Sequence, residues 1–140
     1  MKQNVLLTIR GEQRYADMDP EVIELVTEGT MEEFAGGWDI CYEESDLTGL
    51  QGVMTTFHIR PDQVVLDRTG KLHSQMVFRE GVTHDSLYQM EFGALMISVC
   101  ANKVRWNIDP TGGEIEVIYS ISVEESAAGT ISYHITIQSK

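Results

Sequence analysis

Apolar residues recur at every second position along most of this chain, in runs broken by glycine, proline and short polar clusters. Val5, Leu7 and Ile9 share one face of the first run, from Asn4 to Arg10, and Trp38, Ile40 and Tyr42 share one in Trp38 to Glu44. The same alternation places Val53, Thr55, Phe57 and Ile59 together, then Ile115, Val117, Tyr119, Ile121 and Val123, then Ile131, Tyr133, Ile135 and Ile137. Successive strand side chains point to opposite sides, so a period of two predicts strands with one buried face. Val64 to Arg68 predicts a short strand after the Pro61-Asp62 turn, and Val104, Trp106 and Ile108 alternate with Arg105, Asn107 and Asp109. Ala94 to Ala101 is nearly all apolar and predicts a strand buried on both faces, followed by a turn at Asn102-Lys103. Loops are predicted at Gly11 to Asp19 and Ser45 to Gly52, and turns at Ala35-Gly36-Gly37, Thr69-Gly70, Phe92-Gly93, Pro110 to Gly113 and Glu125 to Gly129.

One segment carries competing signals. Asp19-Pro20-Glu21 has the chemistry of a helix start, and Val22, Leu25 and Val26 fit a helical face. Against this, Val22, Ile23, Val26 and Thr27 are β-branched, and Gly29 interrupts the second turn. Val22 to Phe34 is therefore expected as a long strand, bulged at Gly29, with a short helix as the alternative.

The stretch Lys71 to Glu91 organises the candidate site. Two alternating runs flank Arg79-Glu80-Gly81, where glycine supplies the positive φ of a tight hairpin. Leu72, Ser74, Met76 and Phe78 share a face on the first run, and Val82, His84, Ser86, Tyr88 and Met90 share one on the second. These faces mix apolar bulk with hydroxyls and an imidazole. A dry core face is apolar throughout and a solvent face carries more charge, so a half-polar face suits the lining of an internal cavity. If the runs pair, their register sets the two faces side by side.

Roughly ten such strands with turn-sized connections predict an all-β protein. Sequential hairpins form an up-and-down antiparallel meander, and closing it into a barrel of about eight to ten strands removes exposed edges. A barrel near eight strands is wide enough for one small ligand. At 140 residues the chain is expected to form a single domain. The net charge is −12, of which Glu12 to Asp46 carries −11. That field argues against nucleic acid, whose affinity comes from Lys and Arg on phosphates, and against anionic membrane surfaces. The acidic segment reads as a solvated face, with docking of a basic protein partner as the other reading. The apolar run Val5-Leu6-Leu7 is too short for a signal peptide or a span, which predicts a cytoplasmic protein.

Three strings resemble a known family: Glu24-Leu25-Val26-Thr27-Glu28-Gly29, Tyr42-Glu43-Glu44-Ser45-Asp46-Leu47-Thr48-Gly49 and Ser74-Gln75-Met76-Val77-Phe78. They look like the YwiB-like family of small bacterial proteins of unknown function. The resemblance covers nearly the whole chain. It implies a lipocalin-like, or calycin-like, β-barrel and a strand at Glu24 to Gly29, and it carries over no catalytic residue.

The chemistry-bearing clusters point to binding before catalysis. Glu43 and Glu44 beside Asp46 have the composition of an acid/base pair or cation site, but adjacent strand residues face opposite ways, so they read as a solvated entrance to a turn. His58, His73, His84 and His134 show neither HxH nor HExxH spacing. No G-x-S-x-G, G-x-G-x-x-G or P-loop string occurs, and no cofactor is implied. The remaining candidates for a small-molecule ligand site are Ser74, Met76, Phe78, His84, Ser86 and Tyr88. Arg68 and Arg79 are candidate counter-charges for an anionic head group. The alternative is a barrel plugged by these same side chains, acting as an interaction module through its acidic face. Cys41 and Cys100 lie far apart without CxxC spacing and read as free thiols. Thiol titration of the unfolded, unreduced protein is expected to count both; counting neither would establish a disulfide.

Overall fold

The computed structural model describes residues 2–15, 19–34, 36–45, 51–90, 93–124 and 126–140. Ten strands are found among them: β1 (Gln3–Arg14), β2 (Glu21–Phe34), β3 (Gly37–Glu43), β4 (Val53–Arg60), β5 (Gln63–Gly70), β6 (Ser74–Phe78), β7 (Thr83–Met90), β8 (Gly93–Asp109), β9 (Gly112–Val123) and β10 (Ser126–Ser139). They form one antiparallel sheet in the order β6-β5-β4-β3-β2-β1-β10-β9-β8-β7. The sheet curls into a nearly closed up-and-down barrel of lipocalin-like architecture, as the alternation predicts. Among the described residues no helix is long and apolar enough to cross a membrane.

The order of strands places the barrel's opening in mid-chain. The terminal strands pair along a continuous ladder from Val5 opposite Ser139 to Arg14 opposite Thr130. The two ends of the sheet are β6 and β7, which are consecutive in sequence. Among the described residues their backbones meet through one isolated bridge, with His73 N donating to Gln89 O at 2.9 Å and Gln89 N to His73 O at 2.8 Å. The expected paired hairpin at Lys71 to Glu91 is therefore a seam. The turn itself forms as expected, with Gly81 at φ +75°. However, Gly81 N donates to Ala101 O and Glu80 bridges Ala101, so the turn docks on β8. That docking competes with zipping of β6 onto β7.

Three further expectations change. The first strand runs past Arg10 to Arg14 instead of giving way to a loop at Gly11, because Gly11 to Gln13 are paired on both sides and Arg14 with Thr130. The strand Glu21–Phe34 replaces the helical alternative, but its pairing runs through Gly29 without a bulge. The bulge lies instead between Ala101 and Lys103, where a turn was expected. The extra residue there changes the phase. Ile97, Val99 and Ala101 face inward before it, and Val104, Trp106 and Ile108 pack inward after it. One continuous strand thus keeps two apolar sets of opposite parity on the same side. Ala94 to Ala101 is not buried on both faces, since Ala94, Leu95 and Met96 are exposed. The expected turns and loops that include Ala35, Phe92, Glu125 and residues 46–50 fall outside the described residues, as do residues 16–18 of the first loop.

The core is unevenly filled. One end is packed solid by Val5, Leu7, Met31, Ile40, Ile59, Val64 and Ile137, all at 3% exposure or less. Across the sheet these residues sit in matched rows, such as Trp38, Ile59, Val64 and Phe78 on β3 to β6. Gly29 belongs to this end. A Cβ there would lie 2.5 Å from Cys41 O and 2.9 Å from Leu7 Cδ1. Gly29→Ala is therefore expected to destabilise the protein by about 1–3 kcal/mol through overpacking, measured as a lower urea midpoint at unchanged slope.

Candidate functional site

The other end of the barrel holds a cavity of about 360 Å³. Its wall is mostly apolar, with Ile23 and Leu25 from β2, Leu95 and Ile97 from β8, and Ile121 and Val123 from β9. Met76 and Tyr88 reach it from the two sides of the seam.

The polar part of the wall is built by register. Tyr42 on β3 lies opposite Thr55 on β4, Thr55 opposite Arg68 on β5, and Arg68 opposite Ser74 on β6. All four face inward and are buried, as does Glu44, one further step along the Trp38, Ile40, Tyr42 face. Arg68 ends the Val64, Leu66 face and Glu44 the Trp38, Ile40, Tyr42 face, while Thr55 and Ser74 interrupt theirs, so the sheet stacks these polar positions into one row. Thr55 Oγ1 donates to Glu44 Oε2 at 2.5 Å. Arg68 Nη2 donates to the Tyr133 hydroxyl at 3.3 Å. Arg68 Nε stands 3.9 Å from Glu44 Oε2, close enough for an ion pair but too long for a hydrogen bond. Buried Nε and buried Ser74 Oγ have no hydrogen-bond partner among the described residues. An aromatic layer lies beneath. Phe78 packs on Tyr119 at 4.6 Å between ring centroids, and Tyr119 stacks on Tyr133 at 6.4 Å.

Burial works against the Arg68 charge, but the oxygens of Tyr133, Tyr119 and Glu44 outweigh it and hold the guanidinium protonated beyond its already high range. Burial first, and then the Glu44 carboxylate, push the Tyr42 phenol well above the ordinary tyrosine range. Burial, with a contribution from Tyr133, does the same to Tyr119.

The sequence-derived candidates divide. Arg68, Met76 and Tyr88 meet the cavity. Phe78 is fully buried in the core cluster, and Ser74 is buried beside Arg68. His84, Ser86 and Tyr88 share the inward side of β7, opposite Val99, Ile97 and Leu95. The His84 Nε2 atom is buried with no hydrogen-bond partner among the described residues, and Ser86 Oγ donates across the seam to Gln75 O. Arg79 is a correction. It follows Phe78 by one residue, so its side chain leaves on the outer face, 53% exposed and 3.9 Å from Asp62. Glu44 is a second correction. It is not a solvated turn entrance but 5% exposed, while Glu43 faces out and Asp46 lies outside the described residues. The alternation Trp38, Ile40, Tyr42 carried one step further would have placed Glu44 inside. Tyr42, Tyr119 and Tyr133 were legible as inward but not as part of a site.

The outer surface holds the remaining chemistry. His58 pairs with Asp39 at 3.0 Å and His134 with Glu114 at 3.2 Å. Among the described residues no group of three His, Cys, Asp or Glu converges as a metal site requires. Cys41 and Cys100 are half-buried free thiols. Within the acidic segment, Glu24 pairs with Arg10 and Glu28 with Lys140.

The two shifted phenols give this end a pH signature. A group whose folded pKa lies above its unfolded value adds stability below the unfolded value and loses it as pH rises toward the folded one. The unfolded tyrosine value is about 10, so stability is expected to fall above that pH. An ultraviolet titration should show Tyr42 and Tyr119 ionising together with alkaline unfolding, and Tyr42→Phe should make the fall shallower.

Three comparisons bear on identity. The family described as "Domain of unknown function (DUF1934)" matches residues 7–136. The crystal structure of the ywiB protein from Bacillus subtilis superposes with a TM-score of 0.87 at 23% sequence identity, covering 99% of this chain and 93% of that one. No match was found among curated proteins. The structural likeness shows the shared barrel, and the family match extends over almost the whole chain: this protein belongs to the DUF1934, or YwiB-like, family.

Proposed function

We propose that this barrel binds a small amphipathic molecule in its hollow end. The apolar body of the ligand lies against Leu25, Leu95, Ile97 and Val123, and its polar head meets the Arg68 row. One observation carries the reading. A cavity of about 360 Å³ has an apolar wall and, lining its polar end, the buried Arg68, whose Nε has no hydrogen-bond partner among the described residues. That volume falls within the usual range of small-molecule sites, and few convergent polar groups on an apolar wall are their usual composition. An unmade hydrogen bond at a buried donor costs about 1–3 kcal/mol, which an acceptor on the ligand recovers. The packed end fixes the scaffold, so the barrel is neither fully hollow nor fully plugged.

The neutral apolar fluorophore N-phenylnaphthylamine tests the reading. It is expected to brighten on adding the protein. Leu25→Trp, which projects a ring into the cavity, should abolish the signal while lowering stability by no more than about 1–3 kcal/mol. Native mass spectrometry of protein purified from its own host should show an added mass that denaturation releases. A fluorophore signal untouched by Leu25→Trp, with no added mass, would overturn the proposal.

A further inference from the structure

Resting on that reading, we propose that the ligand's head group is an uncharged hydrogen-bond acceptor, such as an amide, ester or hydroxyl, and that Glu44 sets this selectivity against carboxylates. Of the described residues lining the cavity, two carry formal charge, Arg68 and Glu44, and their signs are opposite. Both side chains are nearly out of solvent, at 9% and 2% exposure. Glu44 is held in place, accepting from Thr55 Oγ1 at 2.5 Å. Arg68 and Glu44 therefore balance each other in charge before any ligand arrives.

A carboxylate entering this end would bring a second negative charge toward Glu44 Oε2. It would also give up its own hydration in a mostly apolar chamber. Both effects oppose it, because a buried charge is tolerated only when paired, and Arg68 is already paired. The overall charge of −12 adds a long-range field of the same sign. A neutral acceptor meets none of these costs. It accepts from the Arg68 guanidinium, whose Nε lies 3.9 Å from Glu44 and has no hydrogen-bond partner among the described residues. The Tyr133 hydroxyl, which accepts from Arg68 Nη2, is placed beside the same head group.

Isothermal titration with decanamide, decanol and decanoate in mildly alkaline buffer compares three heads on one alkyl chain. Decanamide and decanol are expected to bind at least about tenfold tighter than decanoate. Decanoate binding as tightly as the other two would overturn the proposal. So would binding of N-phenylnaphthylamine without any of the three, and that outcome would leave the cavity reading intact. Silence from all four probes would overturn both. In Glu44→Gln, decanoate should gain about tenfold while decanamide changes little, because the Arg68 charge is then unbalanced. An unchanged ranking in a folded Glu44→Gln would defeat the role given to Glu44. If that variant fails to fold, the ranking in the unaltered protein decides the question alone.

Discussion

Every backbone N–H and C=O of a buried strand needs a partner, and a sheet can meet that need at its edges only by closing on itself. This chain closes on the ladder between its first and last strands, Val5 to Arg14 against Thr130 to Ser139. The remaining discontinuity falls between β6 and β7, where among the described residues the backbones share one bridge, His73 with Gln89. The seam runs beside the cavity, because Met76 and Tyr88 reach the cavity from its two sides. The least-bonded junction of the wall and the least-filled part of the interior therefore occupy the same region.

The two ends of the barrel obey different energetics. At the packed end, matched rows of apolar side chains gain dispersion contacts and lose water, the dominant favourable terms in folding. At the other end, a cavity forgoes such contacts and a buried ion pair adds desolvation. Replacing a buried ion pair with apolar residues of similar volume is often neutral or stabilising. Stability alone therefore gives no reason for Arg68, Glu44, Thr55 and Tyr42 to converge where they do. The convergence of a cavity with a polar row that costs stability is what supports a binding role for this end.

The bulge between Ala101 and Lys103 connects the fold to this site. It lets one strand present Ile97, on the cavity wall, and Ile108, in the packed end, to the same interior despite their opposite parity. It also sits where the Glu80-Gly81 turn docks, with Glu80 Oε1 accepting from Val104 N at 2.8 Å. A turn held by β8 in this way leaves β6 and β7 facing each other across the seam with little direct pairing.

The sequence by itself determined the alternation, and with it the strands, the all-β class and the inward sides of most strands. Period-two patterning is local, so Val5 to Ile9, Val53 to Ile59 and Ile115 to Val123 needed no partner to be read. The same patterning put Ser74, Met76 and Phe78 on one side of β6, and put His84, Ser86 and Tyr88 on one side of β7. Tertiary structure decided what local pattern cannot encode. Whether Arg68 or Arg79 enters the interior depends on which parity of its run faces in, and only neighbouring strands fix that. Whether Asn102-Lys103 is a turn or a bulge depends on Tyr119 and Ile118 holding the strand in register on either side. Glu44 resembles a solvated carboxylate until Arg68 arrives from another strand. The charge can be buried only because folding brings its counter-charge to 3.9 Å.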